Sequence, residues 1–160
     1  MKTLIVSLLL IASSAQADTL ISYGVGIMHS AKYSPAEVKV FSLGYNEDLF
    51  GPLVRKYEIG LWADQISENR KSSGFASYSY GVKVEPSIFY IESDWGVGFI
   101  TNRDSYLGGN FPQFFQDLFV GVKDFRDTKI GLNYKHISSA SIYAPNRGRD
   151  LLTLRLQLPF

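Results

Sequence analysis

Three residues near the C-terminus have the side chains that nucleophilic ester hydrolysis requires. Ser138 could supply the nucleophile, His136 could take its proton, and Asp150 could hold the imidazole tautomer and stabilise the imidazolium. His136 and Ser138 stand at i and i+2, so on a β-strand both would project from one face, about 7 Å apart along the strand. This pair alone is a weak motif. Whether it forms a site depends on the secondary structure in which the two residues lie.

Most of the chain alternates apolar and polar residues with the period of two that is typical of β-strands. We predict eight strands, which in chain order are Leu20–His29, Glu37–Asn46, Val54–Asp64, Ser77–Ile91, Trp95–Asn102, Phe114–Asp124, Thr128–Ser139 and Asp150–Phe160. The connections after the first, third, fifth and seventh strands are longer and polar, whereas Glu92–Asp94 and Phe125–Asp127 are short. Short turns at one end and longer loops at the other are typical of outer-membrane barrels.

The last predicted strand shows two opposed faces. From Leu152 to Phe160 every second residue is apolar, and polar residues such as Arg155 and Gln157 lie between them. One face therefore suits lipid and the other suits a polar interior. We predict an all-β fold, an eight-stranded antiparallel transmembrane β-barrel, whose narrow lumen is filled by side chains and forms no diffusion pore. An edge strand of a soluble β-sandwich is the alternative interpretation of this segment.

The composition of the 160-residue chain excludes several other classes. Lys and Arg total 16 against 15 Asp and Glu, a net charge of +1, so a basic surface for nucleic acid is not indicated. The absence of Cys excludes a disulfide framework and a thiolate metal site, and two His cannot form a His-rich site. We therefore predict no metal ion. The mean hydropathy is near zero, which a soluble domain gives and which a barrel with two opposed faces gives as well.

Residues 1–17 have the three regions of a signal peptide. Met1–Thr3 carries a positive charge, Leu4–Ala12 is apolar, and Ala15–Ala17 has the small-x-small pattern of a cleavage site. The apolar run is too short to cross a bilayer, which takes about 20 residues. We predict a signal peptide at residues 1–17 and an outer-membrane barrel domain at residues 18–160. A buried N-terminal helix or strand is the alternative.

The alternation also assigns the three candidate catalytic residues to a face. In the seventh strand the apolar residues fall at even positions, such as Leu132, and the same parity continues to His136 and Ser138. Asp150 has the parity of the apolar residues of the last strand. Consecutive antiparallel strands place the end of one beside the start of the next. We expect the three residues to meet on the lipid-facing side near the rim, although ordinary polar residues of the headgroup zone would show the same pattern.

The segment His136–Asp150 (HISSASIYAPNRGRD) resembles the active-site segment of the lipid A 3-O-deacylases of Gram-negative outer membranes, the PagL family. In that family His-x-Ser-Asn-Ala is followed, after a short spacer, by Pro-Asn-x-Gly-x-Glu; here Ala140, Pro145, Asn146 and Gly148 fall in register. The resemblance implies an outer-membrane esterase without a cofactor that hydrolyses the 3-O-linked acyl chain of lipid A in lipopolysaccharide. It also implies that Ser138 is the nucleophile, His136 the general base and acid, and Asp150 the acidic member of the triad.

Two positions depart from the family pattern. The acid is Asp150 where the family has Glu, and Ser139 stands where the family has an Asn that is thought to form the oxyanion hole. The candidate oxyanion donors are Ser139, through its hydroxyl or its backbone N–H, and Asn146, although a regular strand would point the Ser139 side chain inward. Arg147 and Arg149 flank the site and are candidates to bind the phosphates of lipid A.

Two further expectations concern the surface and the function class. Trp62 and Trp95 are assigned to the aromatic girdles at the membrane interfaces. The alternative function is a small structural or adhesive barrel without catalytic activity, which long charged outer loops would favour. A secreted lipocalin-like binder would need the opposite parity, with an apolar lumen and a polar exterior. A homodimer is left open, because no segment marks an interface.

Overall fold

The computed structural model describes residues 17–27, 37–64, 72–101, 107–144 and 148–159. They form eight strands: β1 Ala17–Ile27, β2 Glu37–Asp48, β3 Leu53–Asp64, β4 Ser72–Val84, β5 Phe89–Ile100, β6 Gln113–Lys123, β7 Lys129–Ser138 and β8 Arg149–Pro159. Neighbouring strands pair antiparallel and β1 also pairs with β8, which closes the sheet. The predicted eight-stranded antiparallel barrel is confirmed. Except for Ala17, the predicted signal peptide lies outside the described residues.

The connections at the two ends of the barrel differ as the sequence predicts. The strands turn tightly at residues 49–52, 85–88 and 124–128, which all lie at one end. The longer connections, among them residues 139–148 between β7 and β8, lie at the other end, called the loop end below. Within the described ranges, no helix is long and apolar enough to cross a membrane.

The structure corrects one predicted turn. The sequence pattern placed a strand over Ser77–Ile91 and a turn at Glu92–Asp94, whereas the chain turns at residues 85–88. Glu92 and Asp94 belong to β5, and their side chains are buried inside the barrel. Closely spaced acidic residues normally indicate a turn because they need water. Here Lys56 pairs with Asp94 and Asn46 donates to Glu92 inside the lumen, so charge alone was a poor guide to the turn.

Ion pairs fill the middle of the barrel. Asp117 on β6 is surrounded by Lys56 Nζ at 3.1 Å, Lys135 Nζ at 2.9 Å and Arg155 Nη2 at 3.3 Å, and Asn133 Nδ2 donates to it at 2.9 Å. All five side chains are buried. Removing one partner from such a network leaves an uncompensated buried charge and costs about 3–5 kcal/mol. The interior of these strands is therefore occupied by side chains, as the sequence predicts for an eight-stranded barrel.

An apolar cluster fills the barrel above this charged layer, toward the loop end. Its members are inward-facing residues of β2 to β8 and the loop before β6: Val40, Trp62, Phe75, Ile100, Leu107, Phe115, Ile137 and Leu151. The assignment of Trp62 to an interface girdle is wrong. Its ring is only 1% exposed and stacks on Phe75 with centroids 5.4 Å apart. Trp62 has even parity on β3, and the even residues of that strand point inward.

Candidate active site on the outer surface

His136 and Asp150 form a pair across β7 and β8 on the outside of the barrel. The two residues are directly opposite in the register, and His136 Nδ1 lies 2.6 Å from Asp150 Oδ1. Both share the face of Leu132 and Leu154, which are exposed on the outer surface. The predicted placement of Asp150 beside His136 is therefore confirmed. With Nδ1 donating to the carboxylate, Nε2 is the ring nitrogen left to accept a proton.

Ser138 follows His136 on the same face at the loop end of β7. Both side chains line a pocket of about 160 Å³, together with Trp95, Gly96, Phe114, Phe115 and Gln116. No hydrogen bond joins Ser138 to His136 in this structure, which describes both residues. In enzymes without bound substrate such bonds are often long and tighten only in the complex. The geometry thus brings the hydroxyl and the imidazole to one pocket, open toward the lipid-facing side.

Tyr134 is a member of this constellation that the sequence analysis missed. Its hydroxyl donates to Asp150 Oδ1 at 2.6 Å, so one carboxylate oxygen serves both Tyr134 and His136. Tyr134 stands two residues before His136 and has the same parity, which is the signal that could have found it. The carboxylate is thereby held by two donors, and its position depends less on its own short side chain.

Gly148 lets the loop between β7 and β8 pass close to the imidazole. Its φ is +67°, a conformation that glycine adopts without strain. A Cβ added at this position would stand 2.8 Å from His136 Cε1. Any larger residue would therefore have to displace the ring or the loop. Gly148 is one of the motif positions that fall in register with the resemblance.

The interior of the barrel supports the strands that carry these residues. Ile137 and Leu151 alternate with the site residues along β7 and β8, and both are fully buried in the apolar cluster. Phe115 on β6 belongs to the same cluster and also lines the pocket. Tight packing behind a site fixes the backbone from which its side chains project. The outward residues are consequently presented from a rigid wall.

Two of the residues assigned from the motif do not lie at the outer surface. Ser139 is fully buried, and its hydroxyl donates to the backbone oxygen of Tyr143 at 3.4 Å, so the side chain points inward. Arg149 is also fully buried, and its guanidinium lies inside the barrel, 5.2 Å from the centre of the Trp62 ring. The expectation that Arg149 binds phosphate outside is wrong, because its odd parity directs it to the lumen. Asn146 and Arg147 lie outside the described residues.

A second residue that the sequence analysis missed, Gln116, lies on β6 directly opposite His136. It is exposed on the outer surface and lines the pocket that contains Ser138. Its even parity matches that of Phe114 and Leu118, which face lipid. A single amide within an apolar face was the available signal.

Comparison with known proteins gives a matching family and solved structures with a similar fold. A family model described as lipid A 3-O-deacylase (PagL) matches residues 40–159. The crystal structure of the outer membrane enzyme PagL is 18% identical with a TM-score of 0.65, covering 88% of this chain and 99% of that chain. The Yersinia pestis outer membrane protein Ail, in a phospholipid bilayer nanodisc, is 11% identical with a TM-score of 0.56, covering 92% and 100%. No curated protein matches.

Proposed function

The chain belongs to the lipid A 3-O-deacylase (PagL) family of outer-membrane β-barrels, and we propose that it hydrolyses the 3-O-linked acyl ester of lipid A. In this proposal Ser138 is the nucleophile, His136 the general base and acid, and Asp150 the orienting carboxylate. The observation that carries it is the contact of 2.6 Å between His136 Nδ1 and Asp150 Oδ1, beside Ser138, on the outer surface. Polar groups on a lipid-facing surface are costly and mark functional sites.

The geometry supports an acyl-enzyme mechanism in two steps. Ser138 Oγ attacks the ester carbonyl carbon while His136 Nε2 takes the hydroxyl proton. The tetrahedral intermediate collapses, and the sugar oxygen leaves with the proton that the imidazolium returns to it. A water molecule, deprotonated by the same nitrogen, then attacks the acyl carbonyl; the bond to Ser138 Oγ breaks, the imidazolium returns the proton to Oγ, and the fatty acid is released. Asp150 orients the imidazole and stabilises the imidazolium in both steps.

Asp150 can take the place of the longer family Glu because of its register. Residues directly opposite on antiparallel strands have Cβ atoms about 4.5–5.5 Å apart. Asp150 and His136 are such a pair, and the contact of 2.6 Å needs no longer side chain. Tyr134 donates to the same oxygen and holds the carboxylate toward the imidazole. The shorter acid is therefore compatible with the orienting role.

The position of the pocket supports a lipid substrate. Ser138 lies at the loop end of β7, and Trp95 and Phe114 are exposed apolar walls of its pocket. In a barrel whose short turns face the periplasm, the loop end lies in the outer leaflet, where lipid A resides. An acyl chain can then approach along the apolar walls while the sugar stays at the headgroup level. All of these residues come from one chain, so the proposal needs no second copy.

The activity is tested with the purified barrel in detergent and lipopolysaccharide as substrate. The release of free 3-hydroxy fatty acid is measured for the unmodified protein, Ser138→Ala and His136→Ala. Each substitution is expected to lower the rate at least about 10³-fold. Ser93→Ala is the matched control, because Ser93 is a serine of β5 away from the pocket. Release that is equal in Ser138→Ala and in the unmodified protein would contradict the assignment of the nucleophile.

A further inference from the structure

The proposed ester hydrolysis requires a donor for the oxyanion, and the residue expected from the motif is absent from the surface. When Ser138 attacks, negative charge develops on the carbonyl oxygen, and hydrogen-bond donors aimed at that oxygen supply a large part of the catalysis. The Ser139 side chain is fully buried, and its hydroxyl donates to Tyr143 O in the loop after β7 at 3.4 Å. This hydroxyl is therefore not presented on the outer surface beside Ser138.

Gln116 occupies the side of His136 opposite to Asp150. The register pairs Gln116 with His136 across β6 and β7, and His136 with Asp150 across β7 and β8. The three side chains form a row across three strands on the outer face, and Ser138 lies two residues along from the centre of this row. Gln116 is consequently the diagonal neighbour of Ser138. Such neighbours are about 7–8 Å apart, with their Cβ atoms somewhat closer, and a long side chain can bridge this separation.

The carboxamide of Gln116 is available for a ligand. Gln116 lines the same pocket as Ser138 and His136, and it is exposed on the outer surface. Within the described ranges no residue forms a hydrogen bond with its side chain. Its neighbours in the same strand and on the same face are Phe114 and Leu118. An amide without a partner among lipid-facing apolar residues is costly, and an apolar residue would be more stable there.

We propose that the side-chain amide of Gln116 donates the hydrogen bond that stabilises the oxyanion formed when Ser138 attacks the acyl ester. This inference rests on the proposed deacylase function and assigns a further catalytic residue to the same site. Trp95 also lines the pocket and carries an N–H, but it lies on β5, two strands from Ser138, or about 10 Å across the sheet. Gln116 is on the adjacent strand, within reach of the reacting carbonyl.

The test uses three substitutions of Gln116 in the purified barrel. Gln116→Leu removes the amide and suits the lipid-facing position, Gln116→Glu keeps the size and replaces the donor, and Gln116→Asn keeps a shorter amide. The leucine and glutamate variants are expected to lose about 10²–10³-fold in kcat with little change in KM. The kcat of the asparagine variant should lie between the kcat of these two variants and that of the unmodified protein. The melting temperature of the leucine variant should not fall, and Ser93→Ala is the control.

Two outcomes would overturn the assignment. The first is a kcat in Gln116→Leu equal to that of the unmodified protein. If KM alone is raised, Gln116 contributes to ground-state binding and not to the transition state. The second is a loss of kcat in Trp95→Phe but not in Gln116→Leu, which would assign the oxyanion hydrogen bond to the indole N–H of Trp95.

A second substrate separates this inference from the proposed function. The rate at which p-nitrophenyl laurate acylates Ser138 is measured for the unmodified protein and Gln116→Leu. If lipid A is not hydrolysed but the laurate ester acylates Ser138, the substrate assignment fails, and the effect of Gln116→Leu on acylation still decides its role. If neither ester reacts, the function and the inference both fail.

Discussion

His136 and Asp150 face each other across β7 and β8 on the outside of the barrel, with Nδ1 and Oδ1 2.6 Å apart. The contact lies on a face where the neighbouring residues are exposed and apolar, such as Leu132 and Leu154. In such surroundings a carboxylate attracts a positive charge that develops on the imidazole more strongly than it would in water, and a carboxylate is expensive there unless it has hydrogen-bond donors. The contact between His136 and Asp150 therefore suits the ester hydrolysis that we propose at this lipid-facing surface.

The orienting role that we propose for Asp150 predicts the effect of Asp150→Asn. The amide cannot stabilise the imidazolium, and it can present an N–H to Nδ1, which favours the wrong tautomer. In the worked case of a Ser-His-Asp protease, this change lowers kcat about 10⁴-fold. We expect a loss of about 10³–10⁴-fold in fatty acid release at neutral pH, with the barrel folded. An intact rate would show that Asp150 does not have this role.

The hydrogen bond from Tyr134 predicts that Tyr134→Phe lowers kcat and leaves KM nearly unchanged. The substitution removes one donor to the Asp150 carboxylate and keeps the ring. A hydrogen bond to a charged group contributes about 1.5–3 kcal/mol, and the expected loss is about tenfold in kcat, because His136 remains as the second donor. Tyr23→Phe is the matched control, since Tyr23 is an exposed tyrosine of β1. Equal kcat values for both variants would remove Tyr134 from the site.

Gly148→Ala and Gly51→Ala form a matched pair. Both glycines have positive φ, +67° and +57°, so each alanine pays a similar backbone cost of roughly 1–2 kcal/mol. The Cβ at Gly148 meets His136 Cε1 at 2.8 Å, whereas the Cβ at Gly51 meets nothing within 4 Å. We expect similar losses in melting temperature and a loss of hydrolysis in Gly148→Ala alone. A fully active Gly148→Ala would show that the loop does not hold the imidazole in place.

Glu85, in the turn between β4 and β5, predicts a dependence of stability on pH. Burial raises its pKa, but hydrogen bonds from Lys123 at 2.7 Å and from Lys83 outweigh burial and lower the pKa from its ordinary 4.5 to about 2. Because the folded-state pKa lies below the unfolded one, the stabilisation is present above pH 4.5 and is lost as the pH falls toward 2. In Glu85→Gln, the melting temperature should change less with pH between 4.5 and 2 than it does in the unmodified protein. The same pH dependence in Glu85→Gln and in the unmodified protein would show that protonation of Glu85 does not control stability in this range.

Period-two alternation was sufficient to predict the strand number and to place His136, Ser138 and Asp150 on one face, since parity alone decides the side of a strand. The same rule would have directed Arg149 inward with Leu151, but a basic residue beside the motif suggested a phosphate ligand. Trp62 was misassigned because an aromatic residue near the rim suits either face.

The rest of the site could not be predicted because it depends on contacts between strands. Gln116 is separated from His136 in sequence, and only the register of β6 and β7 brings them together. Glu92 and Asp94 resembled a turn until Lys56 and Asn46 supplied partners inside the barrel. In both cases the environment of a polar residue is set by a neighbouring strand, which a local pattern does not contain.

We propose that this barrel removes one acyl chain from lipid A in the membrane. The full chain is expressed in a Gram-negative bacterium with intact lipid A, and the mass of the extracted lipid A is measured beside that from cells making Ser138→Ala. With the unmodified protein we expect the mass of lipid A to fall by that of one 3-O-linked hydroxyacyl chain, and with Ser138→Ala we expect no change. Lipid A of unchanged mass, from cells whose outer membrane contains the folded unmodified barrel, would contradict it.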